Sequence, residues 1–322
     1  MNLLIIAAFF IICLSASIFL TKRILPLLRA KRCGQSILEI GPAWHKAKEG
    51  TPTMGGIVFL IVIPLSVTIL LLLLGEKDLF LVTAILLFAL ANGLIGLLDD
   101  MTKRKKSQNS GLSPWQKLVL QTLSVILLLF FLYRYDPALL FVKLPFSELD
   151  TDLSLLSLFL LLFLLVGSIN CANLTDGIDG LAASVAFIIG IHFATEGALR
   201  DRYELLALGI ALSATVLGFL LFNIHPAKIF MGDTGSLFLG GLVAAGAFLM
   251  NNPLSLLFYG FVYVLEGISV VLQVIIYKRT RKRLFLMAPL HHHLEKRGWD
   301  ESKIVLSAVL LSVLGGYLSH FA

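Results

Sequence analysis

Charge is scarce in this sequence: 14% of its 322 residues are Asp, Glu, Lys or Arg, while 58% are hydrophobic. Soluble domains carry roughly a quarter of their residues as charges. A soluble globular fold is therefore excluded. Cysteine is scarcer still. Cys13, Cys33 and Cys171 form an odd set with neither a pairing framework nor metal-ligand spacing, which excludes a disulfide scaffold and a cysteine-based zinc site. No GxxxxGK[ST] occurs, so a P-loop is excluded as well.

What is present is hydrocarbon in ten runs: 2–21, 54–74, 79–98, 118–134, 153–171, 180–196, 204–222, 234–250, 254–277 and 304–321. Each is close to the ~20 residues that cross a ~30 Å hydrocarbon core as a helix. The expected fold is all-α, one polytopic transmembrane domain over 1–322 with about ten spans. The first run has no basic start and no small-residue cleavage site, and Lys22 and Arg23 follow it, so it reads as a retained anchor. Alternate connections hold 21 of the 26 Lys and Arg residues. Short cytoplasmic loops collect such residues, which places both termini outside and the basic loops in the cytoplasm. The formal charge of +6 then sits on one membrane face, suited to anionic headgroups and substrates. It needs no nucleic acid as partner.

The stretch "NCANLTDGIDGLAAS", residues 170–184, places Asp176 and Asp179 beside hydrocarbon with no Lys or Arg near them in sequence. Carboxylates so placed require a countercharge or a polar ligand. Four other polar clusters lie in the same set of connections. "HKAKEGTPTMGG" reads as a capped helix start around Thr51 and Thr53, with glycines that admit close approach. "GLLDDMTKRKK" sets Asp99 beside Asp100, which repel unless a cation lies between them, followed by a Lys103–Lys106 run that reads as an orientation determinant. "NIHPAKIFMGDTGSL" puts Asp233 before a helix, as a cap or as part of a phosphate cradle. In "MAPLHHHLEKRG", three successive histidines point about 100° apart on any helix, which argues against one metal triad. A loop fanning them around a multivalent anion suits the neighbouring cations better. Five aspartates and three histidines on one face, with Lys48, Lys117 and Lys228 nearby, suggest Mg²⁺ and a phosphorylated substrate, the metal being the countercharge.

The clusters "GTPTMGG", "LLDDMTK", "NLTDGIDGL", "PAKIFMGDTGSL" and "MAPLHHHLE", in this order between Trp44 and Trp299, resemble the polyprenyl-phosphate N-acetylhexosamine-1-phosphate transferases. The triple histidine resembles their muramoyl-pentapeptide branch. Cys171 and Ala172 stand where that branch more often has Ala-Val, and Leu294 where it has an aromatic residue. The resemblance implies that UDP-N-acetylmuramoyl-pentapeptide and polyprenyl phosphate react to give lipid I and UMP, with a cytoplasmic-face cleft in the bacterial inner membrane. It implies Mg²⁺ on Asp233, catalytic or phosphate-positioning acids at Asp99 and Asp100, and polar site residues at Asn173 and Asp176. It further implies nucleoside contacts from Lys48, Asp179, Asn223 and Phe230, with Thr53, Gln273, His291, His292 and His293 lining the cleft. A homodimer is left open.

A sister transferase using UDP-N-acetylglucosamine is the alternative within the family. Aromatic prenyltransferases also use aspartate pairs but need neither "MGDTGSL" nor three histidines. A transporter would carry its acids near the midplane on broken helices, often in two repeated halves. Here only Glu266 reads as deep, and the sequence has no evident repeat.

Overall fold

A computed structural model describes residues 3–30, 48, 50–106, 111–143, 150–151 and 155–321. Cys33, Lys46 and the start of the resemblance at Trp44 lie outside them. The chain forms α1 (Leu3–Ala30), α2 (Ile57–Leu73), α3 (Phe80–Lys106), α4 (Pro114–Tyr135), α5 (Leu155–Thr175), α6 (Leu181–Leu199), α7 (Tyr203–Asn223), α8 (Gly232–Leu249), α9 (Leu256–Tyr259), α10 (Phe261–Thr280), α11 (Leu290–Lys296) and α12 (Glu301–Ser319). Among the described residues, nine of these helices are long and apolar enough to cross a membrane. α2, at 17 residues, falls just short. The chain is a polytopic membrane protein, as the apolar runs predict, because helices satisfy every backbone group within one segment.

Three features differ from the sequence expectation. α1 continues past residue 21 to Ala30 and takes Lys22 and Arg23 into its last turns, because these long side chains leave the helix geometry undisturbed. The ninth run is broken. At its start the Asn252 side chain accepts the Leu254 N–H at 3.2 Å and opens a short turn, and further on Gly260 separates α9 from α10, where a Cβ would meet the Leu256 carbonyl. Finally, the connection after α4 contains a two-residue antiparallel pair, β1 (Val142–Lys143) and β2 (Asp150–Thr151).

α8 sits at the centre: every residue from Thr234 to Leu249 is buried. It packs along α3, and α6 packs along α7. Small residues allow both pairs to approach closely, as is usual where helices meet in lipid. A Cβ at Gly96 would strike the Asp233 carbonyl, one at Gly56 the Gly235 backbone, and one at Gly209 the Ala194 backbone. The start of α8 is thus pinned from two sides, by α3 and by the segment before α2. Backbone hydrogen bonds complete that second clamp: Gly55 N–H to Phe230 O (2.9 Å), Gly56 N–H to Met231 O (2.9 Å) and Phe230 N–H to Pro52 O (2.8 Å).

Candidate active site

The pinned end of α8 carries the acidic centre. Asp99, Asp100 and Asp233 bring carboxylate oxygens within 4.8 Å of one another. Asp99 and Asp100 are buried on α3, and Asp233 is half-buried in the first turn of α8. Bare, three such charges would repel strongly. Two ammonium groups stand between them. Lys103 Nζ lies 2.7 Å from Asp99 Oδ2 and 3.1 Å from Asp233 Oδ2, and Lys117 Nζ lies 2.9 and 2.5 Å from the same atoms. Lys103 is one turn after Asp99 on α3, the spacing that brings i and i+4 together. It is a site residue and not simply part of the basic run that sets orientation.

The remaining contacts divide the labour among the acids. Asp100 Oδ2 accepts the Thr234 N–H at 2.9 Å and its hydroxyl at 2.7 Å, while Oδ1 accepts the Asp233 N–H at 3.3 Å. This carboxylate caps α8 from another helix. Asp99 Oδ1 accepts the Leu112 N–H at 2.7 Å. Asn173 donates to Asp233 Oδ1 at 3.1 Å and to Ser236 Oγ at 2.7 Å, which fixes the Asp233 rotamer. Gly232 has φ +68°, and a Cβ there would meet Thr53 Oγ1 and Asp100 Oδ2, so glycine is required for this turn. Thr53 therefore borders the acidic centre.

A second cluster answers the question set by residues 170–184. Asp179 is buried, with Lys48 Nζ at 2.8 Å, His225 Nδ1 at 3.0 Å and the Ala227 N–H at 3.0 Å. Its countercharge comes from Lys48, 131 residues earlier, so no metal is needed at Asp179. Glu301 shares Lys48, at 2.7 Å. Asp176 has a different setting. The pKa of its half-buried carboxyl is pushed up to about 8, first by burial and then by the charges of Asp233, Asp100 and Asp179. Nearby, Asn223 donates to Ile229 O at 2.8 Å, while the side chain of Lys228 is exposed. Phe230 is half-buried behind the acidic centre, tied through its backbone to Pro52 and Gly55.

The three histidines lie on a short helix, α11, and not in an open loop. The His291 and His292 rings lie 4.2 Å apart, yet each of the three histidines meets a different polar partner. His291 is fully buried, with Nδ1 3.2 Å from Glu266 Oε2 and its ring against Gly177. His292 Nδ1 pairs with Glu295 Oε2 at 2.6 Å. His293 Nδ1 accepts the Leu286 N–H at 3.1 Å, and burial with the Arg297 charge holds its imidazole below the usual range. A fan of three rings around one anion is not what this geometry presents. Gln273 accepts the Leu284 and Phe285 N–H groups at 3.0 and 2.9 Å and donates to Phe285 O, so it braces the loop before α11.

Comparison with known proteins bears on this constellation. Residues 82–251 match the model for glycosyl transferase family 4, and residues 48–60 match phospho-N-acetylmuramoyl-pentapeptide-transferase signature 1. Curated relatives named phospho-N-acetylmuramoyl-pentapeptide-transferase, from Bacillus pumilus (strain SAFR-032) and Bacillus subtilis (strain 168), are each 41% identical over 309 and 307 residues, 94% of this chain and of each relative. The relative from Anoxybacillus flavithermus is 41% identical over 307 residues with the same coverage. The chain belongs to the phospho-N-acetylmuramoyl-pentapeptide-transferase family. The family signature runs from Lys48 into α2, and the longer match holds Asp99, Asp100, Asn173, Asp176, Asp179 and Asp233. Both segments that clamp the start of α8 therefore lie in the matched regions.

Sequence reasoning passed over Glu301, His225 and Glu266 as members of these clusters. For Glu301 the available signal was slight: an acid in the first turn of a helix is ordinary, since the helix dipole favours it there.

Proposed function

We propose that the protein transfers phospho-N-acetylmuramoyl-pentapeptide from its UDP-linked donor to polyprenyl phosphate, forming lipid I and releasing UMP, at the cytoplasmic face of the bacterial inner membrane. This is the first membrane step of peptidoglycan synthesis. The observation that carries the reading is the centre of three carboxylates and two lysines at rigid helix ends, in a chain 41% identical to transferases so named.

Three carboxylates within 4.8 Å fit Mg²⁺, a hard ion that takes one or two carboxylates and keeps several waters. Asp233, the half-buried carboxylate of the three, would hold it. When bound, Mg²⁺ supplies charge neutralisation to the donor diphosphate. The protein's own groups do the rest by position. Lys103 and Lys117 offer two fixed positive charges to phosphate oxygens, and Asn173 holds Asp233 in one rotamer.

A direct displacement fits these contacts best. The acceptor oxygen bonds to the sugar-proximal phosphorus, the bond to the UMP oxygen breaks, and UMP departs with that electron pair. A phosphate monoester has its second pKa near 6, so the acceptor is mostly ionised at neutral pH without a strong base. Asp100 already spends its oxygens on α8, and Asp99 is held by Leu112 and both lysines. Neither is poised as a free nucleophile for an aspartyl intermediate.

Purified protein with Mg²⁺, polyprenyl phosphate and one of two donors tests the reading. UMP release is expected with UDP-N-acetylmuramoyl-pentapeptide. Release with UDP-N-acetylglucosamine alone would move the chain to the sister reaction, and release with neither donor would reject the transfer.

A further inference from the structure

Four separate segments meet around the Lys48–Asp179 pair. Lys48 precedes α2, Asp179 precedes α6, His225 and Ala227 lie between α7 and α8, and Glu301 opens α12. We propose that Glu301 is a positioning residue for the donor side of the site, holding the Lys48 ammonium and the Asp179 backbone in the arrangement that receives the nucleotide. This rests on the transferase function proposed above.

Both Glu301 oxygens reach Lys48 Nζ, Oε1 at 2.7 Å and Oε2 at 2.8 Å. Oε2 also accepts the Asp179 N–H at 3.0 Å. One carboxylate thus grips a side chain and a loop amide at once. Asp179 cannot replace it. Its Oδ1 already meets Lys48, and its Oδ2 is taken by His225 and Ala227. The Glu301 side chain is 11% exposed, so the pair escapes most of the screening that weakens surface ion pairs. Removing Glu301 leaves Lys48 with Asp179 Oδ1 as its one carboxylate and the Asp179 N–H without its acceptor.

The family resemblance implies nucleoside contacts at Lys48 and Asp179, the two residues that Glu301 grips. Glu301 touches the Lys48–Asp179–His225 cluster, whereas Asp99, Asp100 and Asp233 are held by Lys103, Lys117, Asn173 and Thr234. Loss of Glu301 should weaken donor binding and leave the chemistry of a bound donor nearly intact.

Steady-state UMP release and thermal melting of the full-length protein provide the test, with donor and acceptor varied in turn. Glu301→Gln should raise the donor KM about tenfold, with kcat and the acceptor KM changed by less than about twofold. Glu301→Asp keeps the charge and should recover part of the loss. Lys48→Met with Glu301→Gln should be no worse than Lys48→Met alone, because coupled partners are not additive. A fall confined to kcat, an equal rise in both KM values, or a lowered melting temperature with unchanged KM would overturn the assignment. Equilibrium binding of UMP to wild type and Glu301→Gln reads the same effect without turnover: weaker binding is expected, and equal affinity overturns it. Absence of UMP release from the wild type would reject the transferase reading by itself, and the binding ratio would still decide the role of Glu301.

Discussion

Asp100 on α3 caps α8 through Thr234, accepting both its backbone N–H (2.9 Å) and its hydroxyl (2.7 Å) with one carboxylate oxygen. The acid to which the resemblance gives a catalytic or phosphate-positioning role is also a joint between two spans. Thr234→Val removes the hydroxyl and keeps the amide. A hydrogen bond to a charged group contributes about 1.5–3 kcal/mol, so the variant should melt several degrees lower while retaining turnover. Melting curves and UMP release on the same preparation separate the two effects. Lost turnover with unchanged melting would put Thr234 in the chemistry instead.

Asp233→Asn should behave in the opposite way. Asp233 is the half-buried member of the acidic centre and the one that both lysines and Asn173 hold. Turnover should fall on the order of 10²–10³-fold, as when one preorganised electrostatic group is removed. The melting temperature should change little. A Mg²⁺ titration of UMP release checks this, and near-normal turnover with ordinary Mg²⁺ dependence would reduce Asp233 to a helix-start residue.

Asp176 gives a pH signature. Burial and the neighbouring carboxylates push its carboxyl up to about 8 from a usual 3.8. The folded state therefore holds the proton more tightly, and this group's contribution to stability is complete below about 3.8 and lost as pH rises through about 8. Melting temperature should decline across that window in wild type and decline less in Asp176→Asn. Parallel pH slopes for the two proteins would show that Asp176 is not the titrating group.

The orientation can be tested separately. On a cysteine-free background, Arg104→Cys and Lys282→Cys should both react with an impermeant thiol reagent from the cytoplasmic side alone. Reaction of either from outside would remove the site from the cytoplasmic face.

The spans were legible in the sequence because hydrocarbon length is a local property: ten apolar runs correspond to the ten principal helices. The break at Gly260 was not, since a single glycine inside an apolar run does not reveal that a Cβ there would meet the Leu256 carbonyl. The acidic centre was legible for the same local reason, as Asp99, Asp100 and Asp233 each stand out against apolar surroundings. Its cations were harder to see. Lys103 looked like one of several boundary lysines until α4 and α8 were in place around it, and Lys48 is joined to Asp179 only by tertiary structure. The histidines show a third limit. Their adjacency in sequence suggests a shared ligand, yet helical geometry gives them separate partners in Glu266, Glu295 and Leu286.

The bond between Lys48 and Glu301 also has a history during synthesis. Its partners are 253 residues apart, and at about 5–20 residues per second the ribosome needs roughly 13–50 s to make the intervening chain. Throughout that interval the early lysine waits in a growing protein whose last helix does not yet exist. The Lys48 cluster can close only after residue 301 has been made, so a nascent chain arrested before it would carry the acidic centre without this second cluster.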